Sequence, residues 1–448
     1  MKRILSLLLA LLLALAPGLA LGVTENALRQ QSDALVSQIM ELVLQDTTFE
    51  YDGKSYSIKN GLEYANRHLL IEDDSPFCDA LLEASLAHSD EVGELYFEEV
   101  RLLNELAELK GFSNYMDYAC EVLYGIDFSM SPMLETIAAG FPATWELVSD
   151  LGALSSTPDA QTFLEEDDFL REAAAFYGTL CPDYQPLLES LIESDALQLE
   201  TVPQLLAGGT TKVTNGRLHV TIRSYDDLSF TVGVMHEFGH SLYASYSNAS
   251  ATVCYPIYET HALGGSLLCL DAMEAFFRER TGDEHGAYLT LRYLLQPLDN
   301  LYHGLIRSRL SAEIFTNPDS FSPRDIARRY LELSLALDDD TGYLPDYQML
   351  LGAQWMNSSS LFQNPFSDIS YMLAAVNAVS LWCDQQAGGD ALTRYNALVQ
   401  TPIPDIPYTD YCRQTGLPDL ADPASCEGLD DFLAGRLTAL ADELSGQE

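Results

Sequence analysis

Apolar residues recur at helical spacing along most of the chain. Leu28, Leu35, Ile39, Leu42 and Val43 approximate one stripe, and Tyr96 to Lys110 forms a second strong helical pattern that Gly111 ends. From about Asn26 to Glu200 the pattern predicts helix nearly throughout, with a loop at Ser155 to Asp159. One stretch departs from this period. Leu218 to Ser224, LHVTIRS, alternates strictly between the two faces and predicts a strand. From Phe230 to the C-terminus helices resume. The fold class expected is therefore mostly α, with one small sheet.

Length sharpens that picture. At 448 residues the chain exceeds the usual size of one compact core, so two lobes are expected. Residues 1–22 read as a secretory signal peptide. Lys2 and Arg3 form its basic start, and the apolar run Ile4 to Ala16 is too short for a bilayer span of about 20 residues. Pro17 breaks that run, and Ala20 or Gly22 supplies a small-residue cleavage site. The expected organisation is a leader at 1–22, an N-terminal helical lobe at 23–200 and a second lobe at 201–448. The product would be secreted or otherwise extracytoplasmic, with no integral membrane segment once the leader is removed.

The formal net charge is −44, with 67 acidic against 23 basic residues, only five of them lysine. Such a surface repels nucleic acid and anionic membranes and attracts cationic peptides or metal ions. Eight cysteines are too few for a disulfide scaffold at this length. Cys412 and Cys426, flanking a Gly-Leu-Pro turn, form the best local pair. Cys254 and Cys269 read as buried thiols.

The candidate chemistry lies in VMHEFGHSLYASY, Val234 to Tyr246. On a helix His236 and His240 stand one above the other on one face and can offer two imidazole nitrogens to one ion. Glu237 points to one side, where a carboxylate could hold a water. This H-E-x-x-H pattern, with apolar flanks and no charge or proline within it, identifies a zincin helix: two zinc ligands and a general base on one rigid element. In many zincins an edge strand beside that helix receives an extended peptide by strand addition. Leu218 to Ser224 is the candidate, and His219 on it is a candidate substrate-facing residue.

Zinc on two histidines needs a third protein ligand and an open position. A loop at Ser247 to Pro256 leads to a predicted helix from about Tyr258 to Arg280. Glu259, His261 and Glu274 on it are the alternatives. Glu274 lies 15 residues beyond Glu259, roughly 22 Å along the axis, so both cannot reach one ion. His261 is about 200° around the helix from Glu259, which makes it a rival ligand. His68, His88, His285 and His303 lack metal spacing.

Several segments resemble the oligoendopeptidase F and thimet oligopeptidase family of zinc peptidases. HEFGHSL at His236 to Leu242 fits the zinc helix of that family, and ETHALGGSLLCLDAM occupies the place of its third-ligand helix, whose glutamate falls on Glu259. NPFSDISYMLAAVNAVSLW, Asn364 to Trp382, is similar to its Pro-Phe-Tyr-Tyr-Ile-Asp-Tyr segment. YTDYCRQTGLPD near Tyr408 resembles its C-terminal helix and turn, and ELAELKGFSNYMDYA, Glu105 to Ala119, its N-terminal Ala-x-x-x-Gly-Phe-x-x-Tyr pattern. The resemblance implies a nearly all-helical two-lobed bowl, a small sheet beside the H-E-x-x-H helix, and cleavage of short peptides in a deep channel.

It also implies roles. Zinc would be held by His236, His240 and Glu259, with Glu237 as general base and Tyr371 as a donor to the oxyanion. The departures are specific. Tyr243 stands where the family repeats a histidine, Ser360 where it has a later histidine, and Ser367 and Asp368 where it has tyrosines. Asp368 and Tyr371, three apart on a helix, would share a face, so Asp368 is a candidate contact for cationic substrate groups. The expected function is zinc-dependent hydrolysis of short peptides by an oligopeptidase-like endopeptidase. The alternatives are a zinc carboxypeptidase, with Arg223 as the nearest group for a substrate C-terminus, and a zinc- or peptide-binding protein with little activity.

Overall fold

The computed structural model describes residues 25–445 apart from 46, 59–60, 62–74, 156–162, 203–206, 248–253, 338–349, 351, 405 and 421. The expected signal peptide and His68 lie outside the described residues. The described chain is mostly helical, with two small sheets. It divides into two compact units. One contains the described residues up to Glu121 together with Ile306–Phe366, and the other contains Val122–Leu305 and Ser367–Glu448. The division therefore does not fall near residue 200. Helices Glu166–Leu180 and Tyr184–Ile192 pack on the helix that carries the histidine pair, so residues 122–200 belong to the unit that holds it.

The first unit opens with a helix over 25–44 and then a hairpin, β1 (Thr48–Tyr51) paired antiparallel with β2 (Lys54–Ser57). The helical pattern had predicted no strand here. Asp52 and Gly53 both adopt positive φ, 48° and 70°, which is the backbone of the two-residue turn that matches strand twist. The long helix Ser75–Leu109 is the spine of this unit, and it packs against Pro323–Leu335. The second of these begins with a reciprocal capping box between Ser322 and Asp325, preceding a proline in its first turn. Tyr96 on the spine is ringed by Phe315, Trp355 and Phe362, at centroid separations of 5.5–6.5 Å. Trp355 donates its indole N–H to Ser89 Oγ at 2.7 Å, which satisfies the polar edge of a fully buried ring.

The second unit is built on a three-stranded sheet and the helices packed on it. The strand order is β3 (Leu197–Thr201), β5 (Arg217–Ser224), β4 (Gly208–Thr214). β5 pairs parallel with β3 and antiparallel with β4. The predicted strand is real, but it is the middle strand and not an edge, because both of its sides are already hydrogen-bonded. β4 is an edge strand. Asn215 and Gly216, with φ of 53° and 71°, make the turn that folds β4 back on β5.

β5 leads directly into α1 (Asp227–Ser247). Asp226 and Ser229 exchange capping hydrogen bonds at its start, the Ser229 N–H donating to Asp226 Oδ1 at 2.7 Å. Phe230, Val234, Phe238 and Leu242 are all buried to 2% exposure or less, and burial of each side chain contributes about 1.5–3 kcal/mol. Val220 and Ile222 from β5 are fully buried too, and the sheet packs on α1. Next come α2 (Tyr255–Leu268), with Pro256 in its first turn, α3 (Ser367–Gln386) and α4 (Ala391–Gln400). α2 lies against both α1 and α3. The helix predicted from Tyr258 to Arg280 is two helices. Cys269 leaves the helical backbone region at φ −90°, ψ 1°, and Leu270–Thr281 restarts after it. No helix among the described residues is long and apolar enough to cross a membrane.

All eight cysteines are free thiols, so the expected Cys412–Cys426 bridge is not formed. Both are buried, and Cys426 packs its Cβ and Sγ against the backbone at Gly140.

Candidate active site

α1 and α2 bring three ligand atoms together. His236 Nε2 and His240 Nε2 are 3.1 Å apart, and Glu259 Oε2 lies 3.3 Å from the first and 3.5 Å from the second. Four ligands arranged tetrahedrally at about 2.1 Å from one ion would be separated by roughly 3.4 Å. The donor set, two imidazoles and a carboxylate, is a zinc donor set. Glu259 is 1% exposed, and its Oε2 has no hydrogen-bond partner. Such a buried, unsatisfied carboxylate oxygen is costly unless a cation completes it. The three residues fit a zinc ion. They are the one group among the described residues with histidine, cysteine or carboxylate atoms gathered for a metal.

Position on the helices separates the three candidates for a third ligand. Glu259 is in the first turns of α2, where the chain returns to α1. The two helices approach closely because the fourth residue of the motif is glycine. A Cβ at Gly239 would stand 2.6 Å from Ala262 Cα and 2.7 Å from the His261 carbonyl oxygen. His261 faces the other way. It is fully buried, stacked on Tyr243 at 4.3 Å and 15°, and burial pushes its pKa down to about 3. Glu274 is elsewhere, held by Arg278 and Arg436.

The electrostatics of the triad are mutually reinforcing. Burial opposes ionisation of Glu259, but His240 and His236 outweigh it and hold the carboxyl well below its ordinary range. Burial likewise opposes the His236 imidazolium, and Glu259 outweighs it, raising the His236 pKa. The His240 ring is fixed by stacking on Tyr258, with centroids 4.0 Å apart and planes 12° apart.

Glu237, next to His236, is 2% exposed and turned toward β4. Thr211 Oγ1 donates to Glu237 Oε2 at 2.6 Å, and Tyr258 OH donates to the Thr211 carbonyl at 3.3 Å. The approach of β4 is close enough that a Cβ at Gly209 would overlap the Glu237 carboxylate. Neither Thr211 nor Gly209 was singled out from the sequence. The Asn215-Gly216 turn signal, by pairing 208–214 with β5, would have found them.

These groups line one cavity of ≈ 390 Å³. Its wall includes the β4 residues Gly209 to Thr214, the H-E-x-x-H side chains, Tyr255, Tyr258, Glu259 and Tyr371. Tyr371, from α3, meets Tyr255 edge to face at 6.4 Å. The Glu259 carboxylate, and then burial, raise the Tyr371 pKa well above its ordinary value, so the phenol keeps its proton and can donate it in a hydrogen bond.

Other sequence candidates fall outside the cavity. Asp368 is not among the lining residues, and its Cβ lies against α-helical backbone at Gly304. The expectation that it meets substrate beside Tyr371 is thereby corrected: although i and i+3 share a face, Asp368 in the first turn of α3 packs beside Gly304 and not into the cavity. His219 is exposed on β5, across from Lys212, and also outside the lining. Arg223 donates to Glu200 at 2.9 Å. Cys254 and Cys269 are buried thiols, with the Cys254 pKa pushed up to about 12 by burial, and His303 pairs with Asp299 at 3.4 Å.

No protein-family model matches the chain, and no curated protein matches it in sequence. Solved structures do match its fold. PZ peptidase A with an inhibitor aligns over 92% of this chain and 77% of its own, with 16% identity and a TM-score of 0.70. Oligoendopeptidase F from Enterococcus faecium aligns over 93% and 72%, with 12% identity and a TM-score of 0.57. Metallocarboxypeptidase 1 of Trypanosoma cruzi aligns over 93% and 99%, with 14% identity and a TM-score of 0.50. This chain therefore has the mostly helical fold of the oligoendopeptidase F peptidases, the family that its motifs resemble.

Proposed function

We propose that the protein is a secreted zinc metallopeptidase that hydrolyses short peptides as an oligopeptidase-like endopeptidase. One observation carries the reading. His236, His240 and Glu259 converge at the distances of a zinc site, and the Glu237 carboxylate stands in the same cavity wall. Zinc bound there supplies Lewis acidity to a water and to the peptide carbonyl. Glu237 accepts the proton of the attacking water and delivers it to the leaving amine. Tyr371 donates a hydrogen bond to the carbonyl oxygen as charge develops on it. The edge of β4 that does not pair with β5 offers backbone groups to an extended peptide. This role moves from Leu218 to Ser224, where sequence alternation had suggested it, to Gly208–Thr214. The leader-like residues 1–22 support secretion.

Arg223, the sequence candidate for holding a substrate C-terminus in a carboxypeptidase, is engaged by Glu200 and does not line the cavity. The test is hydrolysis of internally quenched peptides of about 5 to 15 residues by the zinc-loaded protein, with products identified by mass. Chelation should abolish turnover and zinc should restore it. Zinc-loaded protein that binds peptides without cutting any of them would defeat the proposal and leave a peptide-binding protein.

A further inference from the structure

The outward face of the three-stranded sheet carries two cationic side chains, Lys212 and Arg217, and the imidazole of His219, none of them paired with a carboxylate among the described residues. Lys212 on β4 is exposed and belongs to the cavity wall. The strand register places it directly opposite His219 on β5, and Arg217 lies two residues from His219 on the same exposed face. Directly opposed residues in an antiparallel pair have Cβ atoms about 4.5–5.5 Å apart, and diagonal neighbours about 7–8 Å. Among the described residues, the side chains of Lys212, Arg217 and His219 make no ion pair or hydrogen bond.

Lys54, Arg171 and Arg280 also have no carboxylate partner among the described residues, but none of them lines the cavity, so it is the position of Lys212 that sets it apart. Acidic residues outnumber basic ones 67 to 23. Further along the same strand Arg223 is paired with Glu200. Arg278, Arg329, Arg394 and Arg413 are each held by two carboxylates. Placing cationic side chains next to each other on a sheet is unfavourable. With carboxylates in such excess, leaving them uncompensated beside the cavity points to an anion supplied from outside.

Resting on the peptidase reading, we infer that Lys212, with Arg217 and His219 behind it, receives a carboxylate of the bound peptide and makes the site selective for carboxylate-bearing peptides. The carboxylate can come from an acidic side chain or from the peptide C-terminus. Among the described residues, Lys212 is the one lysine or arginine in the cavity wall, whose acidic members are Glu237 and Glu259. The selectivity acts at contact, because the net charge of −44 repels anionic peptides at longer range.

The test measures binding without cleavage. Zinc-loaded full-length protein carrying Glu237→Gln is titrated, by fluorescence anisotropy, into three labelled peptides of one sequence. The first is neutral and amidated, the second has a free C-terminal carboxylate, and the third is amidated with one internal glutamate. At least one carboxylate peptide should bind about tenfold tighter than the neutral one, the size expected for a hydrogen bond to a charged group. Whichever of the two does so identifies the source. Lys212→Gln should abolish that ratio, Lys212→Arg should preserve it, and Lys212→Glu should invert it. The same ratio in all four proteins, or no preference in the parent, would overturn the inference. Failure of the peptidase reading would be seen separately, as absent cleavage by the chain with Glu237 intact.

Discussion

Thr211 Oγ1 donates a 2.6 Å hydrogen bond to Glu237 Oε2, and both residues are buried. An edge strand therefore holds the carboxylate that the proposed chemistry uses as its base. A hydrogen bond to a charged group contributes about 1.5–3 kcal/mol. Thr211→Val, which keeps the shape and removes the donor, should lower kcat by about ten- to a hundredfold while zinc content is unchanged. Thr211→Ser should recover most of the loss. Equal kcat in the Val and Ser variants would show that the hydroxyl does not position the base.

Glu237→Gln separates binding from chemistry. Zinc should stay bound, because the ligands are untouched. Hydrolysis should fall by about 10²–10⁴-fold, roughly 3–5 kcal/mol of barrier, as for other lost general bases. Stopped assays of peptide cleavage with parallel elemental analysis check both halves, and near-normal turnover would remove Glu237 from the mechanism.

Loss of the third ligand should be seen in the metal itself. Glu259→Ala removes a donor that lies 3.3 and 3.5 Å from the two histidine nitrogens, whereas Glu274→Ala breaks only its contacts with Arg278 and Arg436. After dialysis, zinc per chain should drop sharply in the first variant and stay near parent level in the second. Equal retention would exclude Glu259 as a ligand.

Tyr371→Phe tests the phenolic donor. Removing one such donor costs about 10²–10³ in kcat where it stabilises developing charge. KM should change much less. A variant that raised KM with kcat intact would place Tyr371 in ground-state binding instead.

A separate prediction concerns pH and the first unit. Glu99 is 1% exposed, its Oε2 has no hydrogen-bond partner, and burial raises its pKa to about 9. In the folded protein it keeps its proton where the unfolded chain, with a pKa near 4.5, has lost it. The folded state binds more protons across that interval, so stability declines as pH rises from about 4.5 to about 9. Glu99→Gln should remove this slope, with a gain of about 3 kcal/mol at pH 7. Denaturant unfolding of parent and variant should nearly coincide at pH 4.5 and diverge by pH 8. A constant offset would point to packing rather than protonation.

Much of the site was readable because its determinants are local. The i, i+4 spacing of His236 and His240 sets both imidazoles on one face, and the position of Glu259 at the start of the next helix lets its carboxylate converge on them. The sheet was harder. Alternation identified Leu218 to Ser224, but strand order depends on partners that alternation does not name, and both were missed. The Asp52-Gly53 and Asn215-Gly216 dipeptides were the available signals for hairpins, and the helical pattern around the first obscured it. The single helix expected across Cys269 shows the opposite limit. Nothing in YETHALGGSLLCLDAM punctuates the chain at that residue, and the break is visible only in the backbone. Asp368 and His219 were placed by shared face and by motif, and both side chains lie outside the cavity because the packing of α3 and the middle position of β5 were not encoded in their spacing.

Helices α1 and α2, which carry the candidate ligands, are clamped by residues from the last quarter of the chain. Tyr395 OH donates to the His261 carbonyl at 2.8 Å, Asn377 Nδ2 donates to Thr260 Oγ1 at 3.0 Å, and the Ile403 N–H donates to the hydroxyl of Tyr243 at 3.2 Å. During synthesis, then, His236, His240 and Glu259 leave the ribosome well before the segments that bury and align them. A nascent chain that stops short of residue 367 carries all three ligands yet lacks both α3 and α4. Completion of the packing around the candidate site is accordingly a late event in the life of the chain.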